Sequence, residues 1–181
     1  MLKLIATLCL ALVPLAVGAE IEKYANSCKQ SICFHWWPKV PAISGWHHDE
    51  EQSRRFGANV WVPDGKSFSD ADGVIYAEAS YKPRTPDIQS LAALIDKDRQ
   101  FFQKKAADIV IAEGDALRTA DGQSLRSLTF FAKSSNQWGR VSYGEEGEFY
   151  LIFTLSAHDK ASYERLLPLY KEWLASYKES H

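Results

Sequence analysis

Sulfur is scarce in this 181-residue chain: three cysteines, and a single methionine at position 1. Cys9 falls inside an N-terminal apolar run, which leaves Cys28 and Cys33 for the folded part. Two cysteines exclude a scaffold built on several disulfides. Their C-x4-C spacing is not the C-x-x-C of a redox motif. Long apolar segments are missing too. The run from Leu4 to Val17 is shorter than the roughly twenty residues a membrane-spanning helix needs. Basic charge is not in excess: 21 Lys and Arg face 23 Asp and Glu, a net charge of −2. Arg54-Arg55, Lys82 with Arg84, and Lys104-Lys105 are isolated spots, so no nucleic-acid footprint is expected. A G-x-S-x-G nucleophile elbow is absent. Gly144 and Gly147 lie among Glu145, Glu146 and Glu148 with no Lys-Ser/Thr after them, which excludes a phosphate loop. That acidic cluster reads as a solvated hairpin tip. No catalytic residues are expected.

What is present begins with export. Lys3, the apolar run and the small residues Gly18-Ala19 read as a signal peptide over residues 1–19, cut after Ala19. Bulky Leu8 before Cys9 argues against lipidation there. Removing Lys3 takes the net charge from −2 to −3. The remainder, about 160 residues, suits one domain, periplasmic or secreted from a bacterium and without a transmembrane segment. In an exported chain, Cys28 and Cys33 are expected to pair. Closing so short a loop stabilises by about 2 kcal/mol in the chain-entropy view.

The pattern along the chain is α+β. Residues 20–44 read as a lead-in followed by a first strand, Ile32–Trp37, stopped by Pro38 and Pro41. Strands are expected at Phe56–Val62 and Val74–Tyr81. A helix capped by Thr85-Pro86-Asp87 carries Ile88, Leu91, Ile95 and Phe102 to about Lys105. Five sequential strands follow: Ile109–Glu113, Ala116–Thr119, Leu125–Ala132, Trp138–Tyr143 and Phe149–Leu155. Asp121-Gly122 marks a hairpin, and the short links point to an antiparallel meander. Ser156 with Asp159 reads as the capping box of a last helix striped by Tyr163, Leu166, Tyr170, Trp173 and Tyr177. Pro168 should kink or divide it.

From Trp46 to Tyr177 the chain resembles the PsbP-like group, whose fold is shared with Ran-binding Mog proteins and DcrB. The resemblance rests on Gly45-Trp46, Val60-Trp61-Val62-Pro63-Asp64-Gly65, Val74-Ile75-Tyr76 and the helix after Thr85-Pro86-Asp87. It continues through Phe149-Tyr150-Leu151-Ile152-Phe153, Leu155-Ser156-Ala157, Leu167-Pro168 and Ser176-Tyr177. It implies an α/β/α sandwich with a central, mainly antiparallel sheet and two main amphipathic helices over residues 45–181. It implies less about function: none of the named relatives is a well-defined catalyst, and the fold hosts partners without fixing one.

Two clusters stand out as candidate sites. Trp36 and Trp37 are adjacent, so on a strand one faces away from the core and offers a contact for an envelope protein partner. Trp46 and Trp61 are expected in the core. His47, His48 and Asp49, with Glu50 and Glu51 behind them, are the densest set of ligand-type side chains and suit a divalent metal. Neighbouring imidazoles diverge on a strand or a helix, so His35 is the candidate to complete such a site; a solvated polar turn is the plainer reading. The leading expectation is an exported accessory protein that docks on a partner. The alternatives are a metal or small-molecule binding module using the His47–Glu51 region, and an enzyme of unrecognised type. No cofactor is expected beyond a divalent metal under the second reading.

Overall fold

The computed structural model describes residues 21–28 and 31–179. The expected leader, 1–19, lies outside the described residues. The strands are β1 (Ile21–Cys28), β2 (Ser31–Pro38), β3 (Trp46–His48), β4 (Asn59–Pro63) and β5 (Gly73–Tyr81). They continue with β6 (Ile109–Arg118), β7 (Ser124–Ala132), β8 (Gln137–Glu146) and β9 (Phe149–Ala157). The α-helices are α1 (Glu50–Phe56), α2 (Leu91–Lys105) and α3 (Lys160–Ala175). All nine described strands form one sheet, ordered β1-β2-β5-β9-β8-β7-β6, with β4 also on β5 and β3 on β4. Every pairing is antiparallel.

Alternation along the strands divides the core between two helices. In β5 and β9, Ile75, Ala77, Ala79, Leu151, Phe153 and Leu155 turn to one face, under Tyr163, Leu166, Tyr170, Trp173 and Leu174 of α3. Tyr150 and Ile152, with Val141 and Tyr143 of β8, turn to the other, under Leu94 and Ile95 of α2. The result is the expected α/β/α sandwich. Among the described residues no helix is long and apolar enough to cross a membrane.

Several boundaries differ from the sequence reading, each for a local reason. The lead-in contains a full strand: β1 pairs with β2 along its whole length, from Ile21 opposite Pro38 to Cys28 opposite Ser31. The expected polar turn after His48 is α1. Asp49 caps it by accepting from the Gln52 N–H, Glu50 and Glu51 sit in its first turn, and Gly57 ends it in the left-handed region. That helix takes Phe56, so β4 begins only at Asn59.

Ser90, not Thr85, caps α2, its hydroxyl accepting from Ala93 N–H at 3.2 Å. Residues 85–88 form a separate turn, closed by Ile88 N–H to Thr85 O. The strands expected at 109–113 and 116–119 are one strand, bulged between Gly114 and Leu117. Asp159 alone caps α3, accepting from Ser162 N–H at 2.7 Å. Ser156 stays in β9, where its hydroxyl meets Gln137 Nε2. α3 runs unbroken through Pro168.

Candidate ligand pocket

At the β1–β2 end of the sheet the chain leaves an open cavity of about 400 Å³. Its floor is aromatic: Tyr24 from β1, Trp37 from β2, His48 from β3 and Trp61 from β4. Glu22, Lys39, Asn59, and Glu50 with Arg54 of α1 supply the polar lining.

The local sequence explains this grouping. Residues two apart on a strand share a face, and antiparallel pairing sets Tyr24 opposite His35 and Glu22 opposite Trp37. Tyr24 therefore reaches Trp37 diagonally and stacks on it, with ring centroids 4.4 Å apart and planes within 9° of parallel. His48 meets the edge of Trp37 at 6.1 Å and lies 5.5 Å from Trp61. The cap at Asp49 starts α1 directly after His48, which brings Glu50 and Arg54 to the rim. These two form an i, i+4 ion pair at 2.8 Å. Asn59 Nδ2 donates to Pro38 O at 2.9 Å and ties β4 to the end of β2.

The structure parts the expected site residues. Trp37 is 8% exposed and buried in the stack. Trp36 is half-buried on the opposite face, against Tyr81 and Phe149, with the Arg84 guanidinium 5.4 Å above its ring. Neither tryptophan stands free in solvent, which corrects the expectation of one outward-facing ring. Trp46 and Trp61 are half-buried and packed against the core below α3.

His47 turns away from His48 and lies 3.4 Å from Asp64 through Nδ1. His48 is held through Nε2 by Ser53 Oγ at 2.8 Å, while the Asp49 carboxylate is engaged in capping α1. Among the described residues no three His, Cys, Asp or Glu side chains group closely enough to hold a metal. Cys28 and Cys33 form a disulfide at the closed end of the β1–β2 hairpin.

Sequence reasoning missed Glu22, Tyr24, Lys39, Arg54 and Asn59. Asp49 with Gln52 three residues on, Arg54-Arg55 and then Gly57 were the available signal for α1. The alternation in β1 is too weak to mark Tyr24.

A second cavity, of about 270 Å³, opens where β2 and β5 part beyond their one paired position, Trp36 and Ala79. His35, Trp36, Glu78 and Arg84 are among its lining residues. Burial, and then the negative charge of Asp98 on α2, push the Glu78 carboxyl up to about 7. Burial likewise raises Asp98 and the Tyr143 phenol beside it.

No family model and no curated protein matches the chain. Among solved structures it is similar to the solution structure of cyanobacterial PsbP (CyanoP) from Synechocystis sp. PCC 6803. The match has 13% identity and a TM-score of 0.50, and covers 91% of this chain and 94% of that one. At that identity the likeness speaks to architecture and leaves function to the site. The chain has a PsbP-like fold.

Proposed function

We propose that this chain is an exported, non-catalytic binding protein whose site is the aromatic pocket between the β1–β2 hairpin and α1. The observation that carries this reading is the parallel Tyr24–Trp37 pair, with His48 and Trp61 beside it, in an open cavity of about 400 Å³. Concave sites of this size, apolar at the base and polar at a few points, are the usual form of a small-molecule site. Export rests on the leader and on the disulfide, which suits an oxidising compartment.

Two features weigh for a small ligand over a protein docking on Trp36 or Trp37. Trp37 is engaged by Tyr24, and Trp36 lies beneath Arg84. The region that includes His48 and Glu50 takes part, as a small-molecule site rather than a metal site, because its ligand-type groups diverge.

A thermal-shift screen of the purified chain against sugars, nucleobases, amino acids and divalent metals tests the proposal. The expected result is stabilisation by at least one organic compound, lost in Tyr24→Leu. Stabilisation by a metal alone, or by nothing, would remove the pocket as the binding site. Capture of an envelope protein through Trp36 would then take its place.

A further inference from the structure

The hydrogen bonds behind His48 fix which way its imidazole is protonated. Ser53 Oγ lies 2.7 Å from Asp49 O, 2.9 Å from Val60 N and 2.8 Å from His48 Nε2. A carbonyl oxygen cannot donate, so the one hydroxyl proton of Ser53 goes to Asp49. The Val60 N–H donates into Oγ. The remaining contact must then also be donated into Oγ, so His48 Nε2 carries a proton. In the neutral ring Nδ1 is left as a bare acceptor, and no described residue hydrogen-bonds it. His48 therefore asks a ligand for a donor.

The charges around it balance. Glu22 and Glu50 are matched by Lys39 and Arg54, and Glu50 and Arg54 are already paired with each other. An ionic ligand of either sign would leave a surplus charge to desolvate, so the lining suits a neutral one. The floor asks for something different: a flat apolar face. Trp37 is nearly sealed, so the ring that meets a ligand is Tyr24, and it extends the stack already begun.

A flat apolar face with hydroxyls around its rim describes a pyranose ring. Each hydroxyl both donates and accepts. One can therefore give its proton to His48 Nδ1, while others donate to Glu22 and accept from Lys39. A planar heterocycle would satisfy the stack but few of these rim groups. We propose that the pocket binds a neutral pyranose saccharide, with its apolar face on Tyr24 and a hydroxyl donating to His48 Nδ1. This rests on the reading of the pocket as the binding site.

The test is isothermal titration of the purified chain with glucose, galactose, N-acetylglucosamine and the β-1,4-linked disaccharides of glucose and of N-acetylglucosamine. Glucuronic acid, glucosamine and adenine serve as charged and planar comparators. At least one neutral sugar is expected to bind, and its charged counterpart to bind more weakly. His48→Phe keeps a ring but removes the acceptor, and is expected to weaken sugar binding about tenfold. His48→Asn, which sets an amide oxygen near the Nδ1 position, should recover part of that loss. Tyr24→Leu, on a half-buried edge-strand position, should abolish binding while circular dichroism stays unchanged.

A nitrogen-15 spectrum of the imidazoles checks the tautomer independently, with Nε2 of His48 protonated. If adenine binds through Tyr24 and no sugar does, the saccharide is wrong and the pocket stands. If a sugar binds equally well to wild type, Tyr24→Leu and His48→Phe, both the saccharide assignment and the pocket fall. If nothing in the panel binds, the saccharide proposal is overturned.

Discussion

Tyr24 lies flat on Trp37, yet the two are not cross-strand partners: Tyr24 faces His35 and Trp37 faces Glu22 across the hairpin. The stack is diagonal, a spacing that only long or aromatic side chains bridge. It joins an edge strand to a buried indole and sets the floor of the pocket.

That relationship predicts unequal costs. Trp37→Ala should lower stability by about 3–5 kcal/mol, as loss of a buried large aromatic does. Tyr24→Ala should cost less, because Tyr24 is only half-buried. A double-mutant cycle by urea denaturation should return a coupling of about 0.5–1.5 kcal/mol, the usual worth of an aromatic pair beyond its burial. A Trp37→Ala variant as stable as wild type would mean that the indole faces solvent.

Glu78 predicts a pH dependence. Among the described residues it makes no ion pair or hydrogen bond, and its carboxyl is raised from 4.5 to about 7. Between those values the folded chain holds a proton that the unfolded chain has released. Glu78 therefore makes the chain lose stability as pH rises from about 4.5 to about 7, with no further loss above. Burial raises Asp98 in the same direction. Glu78→Gln stays neutral throughout. Its Tm should match wild type near pH 4 and exceed it at pH 8, by roughly 3–8 °C. Scanning calorimetry at both pH values checks this, and a lower Tm for the variant at pH 8 would show that the carboxylate has a partner.

Gly57 is irreplaceable for two separable reasons. It sits at φ +73°, and a Cβ there would lie 2.2 Å from His35 Nδ1. Gly57→Ala should cost about 1–3 kcal/mol, combining left-handed strain with the clash. In a His35→Ala background the clash disappears and only the strain of about 1 kcal/mol should remain. Equal costs in both backgrounds, by chemical denaturation, would show that the imidazole does not rest on Gly57.

The disulfide should act locally. β1 pairs with β2 and with no other described strand, so Cys28–Cys33 secures the strand that carries Glu22 and Tyr24. A Cys28→Ser, Cys33→Ser variant should lose about 2 kcal/mol. Hydrogen exchange should quicken in Ile21–Cys28 and stay slow in β5, β8 and β9. Uniform acceleration across the sheet would show that the hairpin supports the whole fold.

How much of this was legible depends on the range of the interaction. Runs of β-forming residues in Val74–Tyr81 and Phe149–Leu155 marked the central strands, since burial on both faces leaves such runs. Helix ends were less legible, because several residues offered themselves as caps. Thr85 and Ser156 resemble caps as well as Ser90 and Asp159 do, and the choice fell to packing: Ile88 enters the core from a turn, and Ser156 completes the strand opposite Val74. The seven-residue α1 was hidden because it is too short for a hydrophobic period to show.

By itself the sequence determined the class of the domain, the antiparallel sheet, the two covering helices and the adjacency of two cysteines fit to pair. These follow from period, turn residues and short spacing, all local along the chain. Only the tertiary structure decided the site. Tyr24, Trp37, His48 and Trp61 come from four strands, and no local rule says that they meet. The tautomer of His48 depends on where the one proton of Ser53 goes, and the charge of Glu78 on how deeply the packed sheet buries it and then on how near α2 brings Asp98. Register and packing set those distances, and proton placement and ionisation follow from distance.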